Sequence, residues 1–290
     1  MTFATYFAAH PIAFIVVSAL FGLVVGSFLN VVIHRLPMML SARWERECAE
    51  MAGKEIPGDD KPFNLCRPRS TCPQCGHLIR AWENIPVLSW LALRGKCANC
   101  RKPISSRYPA IELLAGTLAA LVAWRYGFGA QALTLIVLVW ALIALTFIDV
   151  DHQLLPDVIV LPFVWLGLLV NTQSVFASLP DAVVGAVAAY LSLWLVFHAF
   201  KLLTGKEGMG YGDFKLFALF GAWLGWQLLP LIILLASLVG AIVGIVMIAA
   251  LGRDRRLPIP FGPYLCAAGF LAALWGHDLT AWYLQLTRVS

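Results

Sequence analysis

Charge is what this sequence has least of. Only 13% of its 290 residues are Asp, Glu, Lys or Arg, about half the share of a soluble domain, and that excludes a freely soluble enzyme. No Lys or Arg precedes the first apolar block at about 11–33. A cleavable signal peptide would begin with one, so the block is read as a retained helix. There is no H-E-x-x-H run, which removes the familiar zinc-protease site, and no G-x-x-x-x-G-K-[ST] loop or strand-linked glycine fingerprint for a nucleotide. The net charge of +5 does not point to nucleic acid. Thirteen of the 21 Lys and Arg lie between Arg35 and Arg107, with seven of the 16 acids, so the basic excess is local.

What remains is apolar: 60% of the chain, at a mean hydropathy of +0.80. Runs near 11–33, 109–124, 131–148, 157–172, 181–200, 213–228, 229–251 and 261–276 approach the roughly 20 residues that cross a bilayer as helix. The spacing predicts an all-α polytopic membrane protein with about eight transmembrane helices and the lipid bilayer as its first partner. Three regions follow: a first transmembrane helix (1–34), a hydrophilic segment (35–108) and a seven-helix membrane region (109–290). Inside 213–251 only Pro230 and a change of pattern separate two spans. Gly240 and Gly244, four apart, fit close helix packing. With eight spans, Lys201, Lys206, Lys215, Arg253, Arg255 and Arg256 share a side with the hydrophilic segment, leaving only Arg125 and Arg288 opposite. The positive-inside rule then makes the segment cytoplasmic and both termini external.

Four of the seven cysteines form two pairs, Cys72-Pro-Gln-Cys75 and Cys97-Ala-Asn-Cys100, separated by 21 residues. Each C-x2-C lets two thiolates reach one ion from a tight turn, and this spacing suits a four-thiolate zinc site. Disulfides are the alternative, disfavoured in a reducing cytoplasm. Four thiolates leave no open coordination position, so the expected zinc is structural. It would staple a segment with little core of its own. Cys48 and Cys66 read as spare thiols and Cys266 as a small apolar residue.

Acids beside membrane spans are costly and usually functional. Asp149, Asp151 and Asp157 follow the third span, and Asp213 ends the run Gly208-Met209-Gly210-Tyr211-Gly212-Asp213. All four fall at the same membrane edge, where two carboxyls sharing a proton could hydrolyse a peptide. Asp157, directly after Pro156, equally suits a helix start; Asp151 suits a solvated interface and Asp213 a helix cap. Gly210 and Gly212 allow close approach of a substrate strand beside Asp213.

The G-x-G-D motif at Gly210–Asp213, with an aspartate ending an earlier helix, resembles the membrane-embedded aspartic proteases. The fuller resemblance is to the type IV prepilin peptidases, bifunctional leader peptidase/N-methyltransferases of bacterial inner membranes. It covers nearly the whole chain: Gly26-Ser27-Phe28-Leu29-Asn30-Val31-Val32, the paired cysteines, Arg107-Tyr108-Pro109 with Glu112, Asp149, Leu155-Pro156-Asp157, the G-x-G-D motif and Pro260-Phe261-Gly262-Pro263. The resemblance implies removal of the basic leader of prepilins and type II secretion pseudopilins, then methylation of the new amino terminus from S-adenosylmethionine. It also implies Asp149 and Asp213 as the catalytic pair, a choice that spacing alone does not make over Asp151. Gly210, Gly212, Pro260, Phe261 and Gly262 are expected to shape the substrate site. The methyltransferase half is not visible as a fold motif, and Glu83, Asn84, Gly95 and Glu112 are its candidates. A proton-coupled transporter with an aspartate relay is the rival reading; inverted repeats and midplane acids would be its marks.

Overall fold

The computed structural model describes residues 3–54, 63–206, 208–249 and 259–287. Arg253, Arg255, Arg256 and Arg288, part of the charge bias above, lie outside the described residues. The chain is an all-α polytopic membrane protein. Its helices are α1 (Phe3–Ala9), α2 (Pro11–Met51), α3 (Leu88–Ala92), α4 (Arg107–Tyr126), α5 (Ala130–His152), α6 (Asp157–Asn171), α7 (Leu179–Thr204), α8 (Tyr211–Leu224), α9 (Leu229–Ala249) and α10 (Gly262–Thr287). Each of the eight expected spans has its helix. Four of them, α2, α5, α7 and α9, are both long and apolar enough to cross a membrane outright.

Two helices depart from expectation. The apolar run predicts an end to α2 near residue 33, but the helix continues to Met51. Residues 39–51 are rich in Met, Leu, Ala, Arg and Glu, strong helix formers that carry no hydropathy signal, and Arg43 pairs with Glu47 one turn on at 2.8 Å. The break between α8 and α9 comes at Gly225, ahead of Pro230: Gly225 has φ +78 and donates its N–H to the Gly221 carbonyl. A glycine at positive φ turns the chain out of the helix there, whereas Pro230 is tolerated in the first turn of α9.

The chain divides into two compact units, Met1–Ala144 and Leu145–Ser290. In the first, α2 and α4 cross at backbone distance. A methyl group added at Gly22 would lie 2.7 Å from the Ala115 carbonyl oxygen, and one at Gly26 would lie 2.7 Å from the Glu112 Cα. Asn30 ties the crossing by donating to the Tyr108 carbonyl at 3.2 Å.

In the second unit α8 is central, packed against α6, α7 and α10 and buried along nearly its whole length. Gly185 of α7 meets Gly221 of α8 backbone to backbone. At the far end of α8, the fully buried Asn171 donates to the Ala222 and Trp223 carbonyls and accepts from the Phe176 and Ala177 N–H groups, all at 2.9–3.1 Å. One side chain thereby satisfies carbonyls that a helix end leaves bare and fixes the α6–α7 loop. Gly240 and Gly244 of α9 do serve packing, against Tyr264 and Ile259.

Candidate active site and metal centre

Asp149 stands in the last turn of α5 and Asp213 in the first turn of α8. Both are buried, at 5% and 7% exposure, whereas Asp151 is exposed. Two residues apart on a helix point to nearly opposite faces, so only one of the pair can enter the core. The Asp213 carboxylate accepts the Gly210 N–H at 3.2 Å, closing the first turn of its own helix. The Asp149 carboxylate accepts the Gly262 N–H at 3.0 Å, at the start of α10. Asp213 lies within the field of Asp149, and the buried Cys266, one turn beyond Gly262, lies within the field of both.

Leu155 joins the pieces. Methyl groups added at Gly212 and Gly262 would lie 2.8 Å and 3.2 Å from its side chain, and the one at Gly262 would also lie 2.6 Å from the Asp149 Oδ2. The glycines thus let the G-x-G-D turn and the start of α10 close on Leu155 and on the acids. Pro260 and Phe261, just before Gly262, line a cavity of about 290 Å³ with Ser237, Gly240, Ala241 and Tyr264. Asp157 begins α6 and pairs with Lys215 of α8 at 2.7 Å, a charge suited to a helix N-terminus. Sequence reasoning missed Leu155, although it sits inside the quoted Leu-Pro-Asp run. It also missed Asn171, which was detectable as a polar residue closing an apolar helix.

The four cysteines converge in the first unit. Their sulfurs all lie within 4.8 Å of one another, with Cys72 and Cys100 at 3.9 Å. A tetrahedral zinc with Zn–S near 2.3 Å would set sulfurs about 3.8 Å apart, so the donor set fits. The two pairs fold alike. Cys72 N–H donates to the His77 carbonyl and Cys97 N–H to Lys102, both at 2.9 Å; Gly76 and Arg101 donate back to the carbonyls of Cys72 and Cys97. Gly76 and Arg101 occupy the same left-handed position, φ +69 and +60. The His77 N–H draws the Cys75 thiol down to about 7. The N–H groups of Cys100 and Asn99 lower Cys97. At Cys100 the Lys102 N–H favours the thiolate, but burial and the neighbouring thiols outweigh it and push the group up to about 11. Charge crowded in this way is what a divalent ion relieves.

Three of the remaining candidates hold a local task. Glu83 accepts the Arg80 N–H at 3.0 Å and meets His77 Nε2 at 3.3 Å, and Asn84 is exposed. Gly95, at φ +67, lies under the Trp90 ring. Buried Glu112 accepts the Val87 N–H at 2.8 Å and a hydrogen bond from Ser27. Val87 has φ +59, with Leu88 N–H turned back to the Pro86 carbonyl at 2.5 Å. That is a rare, strained γ-turn, worse for a β-branched residue, and the Glu112 carboxylate holds it.

Fold and site together define a polytopic membrane protein carrying a buried aspartate pair at its helix ends. Residues 20–126 match the bacterial peptidase A24 N-terminal domain and residues 136–245 the type IV leader peptidase family. The chain is 56% identical to the prepilin leader peptidase/N-methyltransferase of Pseudomonas aeruginosa, over 98% of both chains. It is 55% identical to that of Stutzerimonas stutzeri over the whole of both, and 56% identical to that of Aeromonas hydrophila over 91% of this chain and 92% of the relative. The protein belongs to the type IV leader peptidase family. No solved structure matches it.

Proposed function

We propose that the chain cuts the basic leader from type IV prepilins and type II secretion pseudopilins at the cytoplasmic face of a bacterial inner membrane. It then methylates the amino terminus so exposed, with S-adenosylmethionine as donor. The observation that carries the first step is the convergence of Asp149 and Asp213, two buried acids from separate helices, each held by a backbone N–H. A transporter would place its acids near the middle of its helices; here both stand at helix ends. The charge distribution favours a cytoplasmic hydrophilic segment and external termini.

In the dyad, one ionised carboxylate takes a proton from water as the oxygen attacks the scissile carbonyl. The other carboxyl, protonated, donates a hydrogen bond to the carbonyl oxygen and then its proton. Collapse of the tetrahedral species expels the amine, which leaves with a proton from the dyad, and no covalent enzyme intermediate forms. Gly210 and Gly262 fix the two carboxylates, while Gly212 lets the turn before Asp213 close on Leu155. The cavity lined by Pro260 and Phe261 takes a substrate side chain.

We assign zinc to Cys72, Cys75, Cys97 and Cys100 as a structural ion. The methyl donor supplies an electrophilic methyl group to the new amine. Glu83, Asn84 and Gly95, with Glu112 at the membrane end of the segment, are the residues proposed to meet that donor; Glu83 and Glu112 keep carboxylate lone pairs beyond the hydrogen bonds they accept. The division of labour therefore follows the regions 35–108 for methylation and 109–290 for cleavage, with 1–34 as first anchor.

Purified protein in lipid, given a prepilin with and without S-adenosylmethionine, should yield a product shortened by its leader, and heavier by one methylene only when the donor is present. An uncut prepilin, or cleavage that survives Asp213→Ala, would overturn the reading.

A further inference from the structure

The hydrophilic segment contains one stretch that is not hydrophilic, Ile85-Pro86-Val87-Leu88-Ser89-Trp90-Leu91-Ala92-Leu93. Trp82, Ile85, Leu88 and Leu91 there are 45–65% exposed. Leu88 and Leu91, three apart on α3, share a face. No other part of the described segment outside the membrane helices presents so continuous an apolar surface.

Its height is fixed by hydrogen bonds. The Val87 N–H is bonded to Glu112 of α4, which also binds Ser27 of α2. Ser27 lies six residues short of Ile33, where the apolar run of α2 ends, which is about 9 Å of helix. Asn30, three residues nearer that end, is bonded to the Tyr108 carbonyl and ties α4 to α2 within the same apolar run. The Val87 turn is therefore carried below the membrane edge by the two helices that enter the bilayer beside it. An apolar face at that depth meets acyl chains. Exposed Arg80, Arg94 and Lys96 border the stretch, as basic side chains do where a surface element settles among lipid headgroups.

We infer that residues 82–91 form a wedge inserted into the lipid of the cytoplasmic leaflet, with Glu112 as the anchor that sets its depth. The occupant of the exposed face is lipid, continuous with the lipid around α2 and α4. The inference rests on the orientation proposed above only for the name of the leaflet; insertion itself rests on the bond from Val87 to Glu112 of α4 and, through Glu112, the contact with Ser27 of α2.

The full chain in vesicles containing a lipid with a photoactivatable acyl chain tests this, with labelled residues mapped by mass spectrometry. Label is expected within 82–91 at a level similar to that on α9, and at least fivefold above that on 96–106. In Leu88→Glu/Leu91→Glu the label on the stretch should fall at least fivefold while that on α9 holds. Glu112→Ala should lower it as well, with the rest of the labelling pattern kept. Labelling of the wild-type stretch no higher than that of 96–106 overturns the proposal, whatever the variants do. It falls equally if saturating prepilin removes the label from 82–91, since the face would then belong to the substrate. Cleavage activity, measured on the same vesicles, reports separately on the function proposed above.

Discussion

Gly262→Ala probes the close approach of α10 to Asp149 in the proposed active site. The backbone at Gly262 has no left-handed requirement, so alanine brings no torsional strain, only a methyl group. That methyl would lie 2.6 Å from Asp149 Oδ2, 3.1 Å from its Cγ and 3.2 Å from Leu155. A carbon and an oxygen need somewhat more than 3 Å, so the Asp149 carboxylate or the start of α10 must shift by about half an ångström or more. The 3.0 Å bond from the Gly262 N–H is lengthened or lost, and a hydrogen bond to a charged group is worth about 1.5–3 kcal/mol. A misplacement near 1 Å costs about 100-fold in rate, and the two figures agree. The turnover number for prepilin cleavage should therefore fall about 100-fold with little change in KM, measured by mass spectrometry of the product in reconstituted vesicles. Methylation of a pre-cleaved pilin should stay within about twofold. Cleavage within about threefold of the wild type would refute the claim that the Gly262 amide positions Asp149.

Other substitutions probe the remaining parts. Asp213→Ala should abolish cleavage and spare methylation of a pre-cleaved pilin; loss of both in a folded protein would refute the division of labour. Asn171→Ala strands two carbonyls and two N–H groups and should lower stability by about 3 kcal/mol, read as the thermal midpoint in lipid. Cys72→Ser/Cys97→Ser should remove the metal, about one zinc per wild-type chain by elemental analysis. Release to a chelator should quicken as pH falls, because protons compete with the ion for the four thiolates. Arg101→Gly should stabilise the second cysteine turn by about 1 kcal/mol by relieving its left-handed backbone, visible as greater resistance to that chelator.

The spans were legible because hydropathy writes them plainly, and the paired cysteines because spacing alone constrains them. Asp149 was different. It continues the buried row Leu138, Leu142, Leu145 on α5, spaced by four and three as a helix face requires. Yet the neighbouring positions of α5 are apolar all round, so the row does not stand out and the acid had to be chosen by resemblance. Leu155, Gly262 and the Val87 turn were hidden for another reason. Each matters through a partner on a distant part of the chain, and a single sequence records no such pairing. Asp213 carried its own signal, since glycines before an acid at a helix start already describe its local turn.

The two cysteine turns have a mechanical consequence. They enclose 21 residues, 76–96, and the stretch around Val87 lies wholly within that closed ring. Closing a flexible ring of this size costs about 3 kcal/mol in chain entropy, against about 10–16 kcal/mol available from a structural zinc. The zinc proposed for the four cysteines would therefore keep the ring shut with a wide margin. Once it leaves, the strained turn at Val87 stands on the Glu112 bond and local packing alone. Bound as proposed, the metal would act as a latch on this part of the protein. Its release would loosen the ring as one piece.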